Sequence, residues 1–286
     1  MPAYFSKIDL HSHSTASDGA FTPTALVERA IERGLTHLAL TDHDAVLGVK
    51  EAQEAARGRL ELIPGAELSA TWENKQIHVA ALFLDIESPI LKEFLDNQKT
   101  LRVQRAMEIG AKLDKQGFKN SYEECVKRAG EGASITRGNY ARYIFEMGRA
   151  QSADDAFNSY LKKGKSCYVK TNWPDVKDVV KVILQSGGVP VLAHPKRYIL
   201  TNTKLRALME YFKDAGGVGI EVSSSQMRPC DRDYLATLCQ KYDFYASLGS
   251  DFHAVGPFRE LGLNLLMPEN LKHVWDLPQA QNYHFE

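Results

Sequence analysis

The stretch Ile8-Asp9-Leu10-His11-Ser12-His13-Ser14-Thr15-Ala16-Ser17-Asp18-Gly19 runs from a short apolar strand into a polar turn. Side chains two apart on an extended backbone share a face, so His11 and His13 leave the strand side by side, placed for two imidazoles to grip one cation. Asp18 lies beyond a Ser/Thr-rich turn that folds it back toward the pair, and Gly19 permits the backbone angles such a turn demands. A bare His-x-His is also what two surface histidines look like, so the rest of the chain must decide.

The same placement recurs along the sequence. Thr22-Pro23 reads as a helix N-cap followed by proline at the first helical position, Leu26, Val27, Ala30 and Ile31 form an apolar stripe, and Gly34 marks the stop. The apolar run His37-Leu38-Ala39-Leu40 then ends in Thr41-Asp42-His43-Asp44. After a helix over about 48–57, residues 60–66 deliver Glu67 at what reads as another strand end, and residues 76–84 form a β-rich run containing His78. Alternation resumes at Pro174. A buried strand ends in His194-Pro195, a second covers 218–222, and a third, 244–250, ends in Asp251-Phe252-His253. About seven strand-helix units are visible. Strand ends of α/β barrels converge on one face, where loops and strand ends build the site.

Between these halves the pattern changes. A long helix begins at Pro89, and a basic, helical stretch broken by Gly-containing turns continues to Tyr168. The expected organisation is a catalytic barrel over 1–96 and 174–286 with a helical insertion, 97–173, that forms part of the substrate site. The chain has 286 residues and a formal net charge of -1. From Gln98 to Asn172, however, 15 Lys+Arg stand against 8 Asp+Glu, a local +7 that suits an anionic substrate. No apolar run approaches the roughly 20 residues of a membrane span, and no signal-like start is seen, so a cytoplasmic protein is expected, with no membrane and no obligate protein partner implied. The four cysteines form no C-x-x-C pair, which speaks against a thiolate site or a disulfide framework.

Six of the nine histidines (His11, His13, His43, His78, His194, His253) fall at or beside expected strand ends, while His37, His273 and His284 lack that context and read as structural or surface residues. With Asp18, Glu67 and Asp251 they make nine nitrogen and oxygen ligands without sulfur. That mixture suits Mn²⁺, Zn²⁺ or Fe²⁺ better than Ca²⁺, which prefers oxygen alone. Nine ligands exceed the needs of one ion, so two or three ions and a bridging carboxylate are expected.

The ordered series His11-x-His13, Asp18, Thr41-Asp42-His43, Glu67, His78, His194-Pro195 and Asp251-x-His253 resembles the PHP (polymerase and histidinol phosphatase) domain of the amidohydrolase superfamily, over about residues 6–96 and 174–255. The resemblance implies an α/β fold, a distorted seven-stranded β/α barrel with the helical subdomain inserted. It also implies one ion on His11, His13, Glu67 and Asp251, a second on Glu67, His78 and His194, and a third on Asp18, His43 and His253. Mn²⁺ is the expected metal, with Zn²⁺, Fe²⁺ or Mg²⁺ as substitutes. Some histidinol-phosphatase relatives carry His where this chain has Asp18, which sets the third group apart.

The segment Ser134-Ile135-Thr136-Arg137-Gly138-Asn139-Tyr140-Ala141-Arg142 and His194-Pro195-Lys196-Arg197 look like the PHP phosphoesterases acting on nucleoside 3',5'-bisphosphates, whose bacterial relatives also trim short RNA from its 5' end. Arg137, Lys170 and Arg197 are the candidate phosphate contacts, since guanidinium groups match phosphate oxygens in bidentate fashion and Lys supplies a point charge. Asp42, His194 or Asp251 would shuttle the proton, with water as nucleophile. No G-x-S-x-G elbow, P-loop or G-x-G-x-x-G fingerprint is present. Two other readings stand beside this one: a phosphatase for a small metabolite such as histidinol phosphate, and a metal-stabilised nucleotide-binding module without turnover.

Overall fold

A computed structural model describes residues 3–130, 132–256 and 258–285. Seven strands form the main sheet: β2 (Ile8–Asp9), β3 (His37–Leu40), β4 (Glu61–Trp72), β5 (Lys75–Leu82), β6 (Val189–Leu192), β7 (Gly219–Ser223) and β8 (Tyr245–Leu248), paired in sequence order. The first and last strands approach each other. The Leu10 amide donates to the Leu248 carbonyl at 3.1 Å and Ser12 bridges Phe252, so the sheet is a nearly closed barrel. Helices α1 (Pro23–Glu32), α2 (Val49–Ala56), α7 (Val176–Gln185), α8 (Asn202–Asp214) and α9 (Pro229–Lys241) cover its outside.

Local sequence explains these elements. Thr22 accepts from the Ala25 amide with Pro23 at the first helical position, and Gly34 closes the helix at φ +72°, a left-handed angle that favours glycine. In α7 the buried face is Val176, Val179, Val180 and Ile183, capped by Asp175. Fully burying four such side chains contributes roughly 1.5–3 kcal/mol each, before the entropy of ordering them.

Two expectations about strands are corrected. Glu67 lies not at a strand end but in the middle of the 12-residue β4. His78 sits within β5, which pairs antiparallel with both of its neighbours, opposite Ser69 in the register with β4. The cause is a tight hairpin at Glu73 and Asn74, both at positive φ (44° and 60°), whose twist suits a two-residue turn and lets both strands run on beyond the barrel rim. Reversal of β5 brings its early residues to the face where the parallel strands end, and so His78 still reaches the same place.

Helix α3 (Pro89–Asp114) runs without a break through residue 97. Its first half packs Leu91 into the barrel core, whereas Ala106, Ile109 and Leu113 belong to a separate core with α4 (Ser121–Ala129), α5 (Arg137–Glu146) and α6 (Ala153–Ala156). The buried Arg102 pairs with Asp44, Nη2 to Oδ2 at 2.5 Å, and fastens the helix to the barrel at the changeover. Of the C-terminal stretch that is silent in sequence, β9 (Leu266–Pro268) pairs antiparallel with β1 (Ala3–Phe5), and Val274 and Ala280 join the main core. Among the described residues no helix is long and apolar enough to cross a membrane.

Candidate metal centre

The barrel's rim collects all nine nominated side chains around one carboxylate. Glu67, fully buried, turns Oε1 toward His78 Nδ1 (2.8 Å) and His194 Nε2 (2.7 Å) and Oε2 toward His43 Nδ1 (2.9 Å), with His11 Nε2 and His13 Nε2 each at 3.4 Å. Asp251 Oδ1 lies 3.0 Å from His13 Nε2 and 3.4 Å from His11 Nε2. Asp18 Oδ1 faces His253 Nε2 at 3.2 Å and His43 Nε2 at 3.9 Å. A mid-strand carboxylate with two faces is what two neighbouring cations would share.

Three groups of donor atoms each fall within 4.8 Å: His11, His13, Glu67 and Asp251; His13, Asp18, His43 and His253; and His43, Glu67 and His78. The first is the set that the sequence resemblance implies. The others add His13 to the Asp18 group and put His43 beside His78 where His194 was expected. Several of these buried atoms, among them His11 Nε2, His43 Nδ1, Asp18 Oδ1 and Glu67 Oε2, lie close to one another yet are not aligned for a hydrogen bond with any described residue. Buried polar atoms are seldom left so, and their convergence fits divalent ions.

Charge states agree with ligation. Burial pulls His13 well below its usual range, with His253 and His43 adding to the effect, and takes His78 down to about 4, so both rings are neutral donors. Burial alone would push Glu67 and Asp18 up. The surrounding histidines overcome it and hold both carboxylates well below their ordinary values. His11 is the exception: burial opposes its charge, but Glu221 and Glu67 outweigh that and raise it to about 10.

Glu221 escaped the sequence reading. From the buried strand β7 it lies 2.5 Å from His11 Nδ1 and accepts from the His194 amide at 2.6 Å, so it orients two of the nine side chains from behind. The available signal was a carboxylate inside the apolar run Val218-Gly219-Ile220-Glu221-Val222. Backbone strain also gathers here, since His194 (φ 32°) and Asp251 (φ 52°) both hold left-handed angles that non-glycine residues avoid.

Other candidates are placed differently. Asp42 does not face the site. It accepts from the Ser14 amide and hydroxyl (2.8 and 2.6 Å) and from the Ser17 hydroxyl (2.6 Å), so it braces the loop that carries Asp18 and is not part of the cavity wall. Lys170 is exposed, 3.4 Å from Asn74 Oδ1, and is not part of the cavity wall. Arg137 and Arg197 do line the cavity, whose volume is about 730 Å³ and which opens over Asp18, His43, Glu67 and Asp251. Arg197 is bonded to Asp251 at the mouth, while Arg137 lies over the Phe157 ring at 4.9 Å, the ring being presented by a π-helical turn (Phe157–Leu161).

The N-terminus of α5 is aimed at Asp18: Thr136 caps the helix and donates its hydroxyl to Asp18 Oδ2. Gly138 makes that approach feasible, because a Cβ there would stand 2.4 Å from Asp18 Oδ2. Gly138→Ala is therefore expected to push Asp18 out of its group and lower bound metal by up to one ion per chain while sparing the Glu67 groups. Elemental analysis checks this, and unchanged metal content would refute it.

The PHP domain family matches residues 9–225. The 5'-3' exoribonuclease Rnm of Escherichia coli is 42% identical over 278 residues, covering 96% of this chain and 94% of its own. The 3',5'-nucleoside bisphosphate phosphatase of Chromobacterium violaceum is 36% identical over 270 residues (94% and 95%). A crystallised amidohydrolase from Chromobacterium violaceum, with bound sulfate and no metal, superposes at a TM-score of 0.89 with 34% identity, over 98% of this chain and 100% of that one.

Proposed function

The chain belongs to the PHP domain family, and we propose that it is a metal-dependent hydrolase of phosphate esters. Its substrates are nucleoside 3',5'-bisphosphates, cleaved to the 5'-mononucleotide and phosphate, and short 5'-phosphorylated RNAs, from whose 5' end it removes nucleotides. The observation that carries this reading is the shared carboxylate Glu67, ringed by imidazoles, at the floor of a cavity whose wall holds six arginines. A cluster of cation ligands facing a basic wall suits a substrate bearing two phosphates, one for each side.

Bound divalent ions would lower the pKa of water and neutralise charge on the phosphate. His11, His13, Glu67 and Asp251 would hold one ion, Glu67, His78, His43 and His194 a second, and Asp18, His43, His253 and His13 a third. The residues themselves do the rest. His194, whose Nδ1 has no hydrogen-bond partner among the described residues, and Asp251 both line the cavity and can carry a proton to the leaving oxygen. Arg197 pins Asp251 from the mouth, and Tyr198 fixes the His194 loop by donating to the Ala193 carbonyl at 2.9 Å.

Mn²⁺ is the ion proposed, on the strength of the mixed imidazole and carboxylate set. Chelation is expected to abolish hydrolysis, and Mn²⁺ to restore more activity than Zn²⁺, Fe²⁺ or Mg²⁺ in add-back assays with elemental analysis. Full activity in protein free of divalent ions would overturn the proposal.

A further inference from the structure

The basic charge of the insertion extends beyond the cavity. From residue 156 to residue 174 the chain carries four lysines, Lys162, Lys163, Lys165 and Lys170, and no Asp or Glu. All four are exposed, and none forms an ion pair with a described residue: Lys162 and Lys170 reach only the neutral side chains of Asn158 and Asn74. A solvated charge run needs no fixed shape, yet this one is tied down. The Lys165 amide donates to the Lys162 carbonyl at 2.9 Å, the Cys167 amide to the Tyr160 carbonyl at 3.0 Å, and the Tyr168 amide to the Lys165 carbonyl at 3.1 Å. From α3, the Lys112 ammonium donates to the Tyr168 carbonyl at 2.7 Å. The turn also starts at the cavity. Phe157, which lines it, accepts at its carbonyl from the Lys162 amide at 2.9 Å, so the first lysine follows the cavity wall by one π-helical turn. Tyr168 brings the other end back toward the rim: burial lowers the cavity guanidiniums Arg105 and Arg137, and the nearby Tyr168 phenol opposes that. Cys167 and Val169 are buried while the half-buried Tyr168 and the exposed Lys170 turn outward, the alternation of an extended segment.

We infer that the lysine turn 162–165, with Tyr168 and Lys170, forms an exosite outside the cavity for the single-stranded RNA chain downstream of the nucleotide being removed. The lysines take the phosphates of that chain and Tyr168 takes the face of a base. Positive charge tracking a backbone beside an aromatic ring is how single strands are held without regard to sequence. A nucleoside 3',5'-bisphosphate has no chain to lay along this surface, so the exosite serves RNA alone and gives the two substrate classes different footprints. This inference rests on the phosphoesterase reading above.

The test measures initial-rate kcat and KM on the Mn²⁺-loaded full chain for 5'-phosphorylated oligouridylates (dimer, tetramer and octamer) and for adenosine 3',5'-bisphosphate. In the parent, KM is expected to fall from dimer to octamer. The triple variant Lys162→Ala/Lys163→Ala/Lys165→Ala should remove that gain and raise the octamer KM about tenfold, each exposed contact being worth a fraction of a power of ten. Its kcat and its bisphosphate kinetics should stay those of the parent. The slope of log KM for the octamer against log salt should drop by up to about 2, since each phosphate contact to a single strand contributes about 0.7. Tyr168→Ala should raise the octamer KM by about one power of ten, and Tyr168→Phe should restore it, because a base stacks on either ring. A Tyr168→Ala loss shared equally by the bisphosphate would mark a structural role and overturn the stacking assignment. A bisphosphate-hydrolysing parent whose oligomer KM ignores length, or a triple variant that keeps the parent's octamer KM and salt slope, would overturn the exosite and leave the proposed function standing. If the parent hydrolyses none of these substrates, fluorescence titration of the octamer under chelation decides: salt-dependent binding lost in the triple variant would leave the exosite and overturn the function, and no binding would overturn both.

Discussion

Glu67→Ala is expected to lower kcat/KM by at least about three powers of ten, because ion-assisted charge stabilisation amounts to several kcal/mol and each power of ten corresponds to about 1.36 kcal/mol. The reason is geometric. Oε1 faces His78 and His194 while Oε2 faces His11, His13 and His43, so its removal takes an anionic donor from two neighbouring groups at once. Asp18→Ala removes a donor from one group only and is expected to do less harm. Metal content should rank in the same order, with Glu67→Ala lowest. A circular dichroism melt would establish that both variants remain folded. Equal metal content in Glu67→Ala and the parent would contradict a shared carboxylate.

The second large effect concerns substrate choice. With Mn²⁺ fixed, 3',5'-bisphosphates and short 5'-phosphorylated RNAs are expected to turn over much faster than 5'-mononucleotides or histidinol phosphate. Arg137 lies in the cavity wall with no ion pair to any described residue, whereas Arg197 is already occupied by Asp251. Arg137→Ala should therefore lower kcat/KM for the bisphosphate by about one to two powers of ten, corresponding to roughly 1.5–3 kcal/mol for a charge-assisted contact, and far less for a monophosphate. If histidinol phosphate is the best of the four, or if Arg137→Ala weakens all four equally, the metabolite phosphatase takes the place of the bisphosphate enzyme.

The alternation of apolar runs with capped helices was enough to read the barrel from sequence, since each strand-helix unit is a local pattern: Thr22-Pro23 with Gly34 is legible without any knowledge of what packs on it. The convergence of the nominated side chains was legible for the same reason. His11, His13, His43, His194, Asp251 and His253 follow directly on apolar runs, and a closed barrel leaves those ends one common face. Glu67 and His78 reach that face by another route, the extended β4–β5 hairpin, whose antiparallel pairing a single run of β-formers does not disclose. What only the tertiary structure decided was which charges meet. Asp42 and Lys170 are as polar and as well spaced in sequence as the residues that line the cavity, yet one braces Ser14 and Ser17 and the other faces solvent. Glu221 behind His11 acquires its meaning from a partner 210 residues away. Periodicity is a property of neighbours along the chain; burial and charge compensation are properties of neighbours in space, and those exist only once the barrel closes and α3 and α5 are laid against its rim.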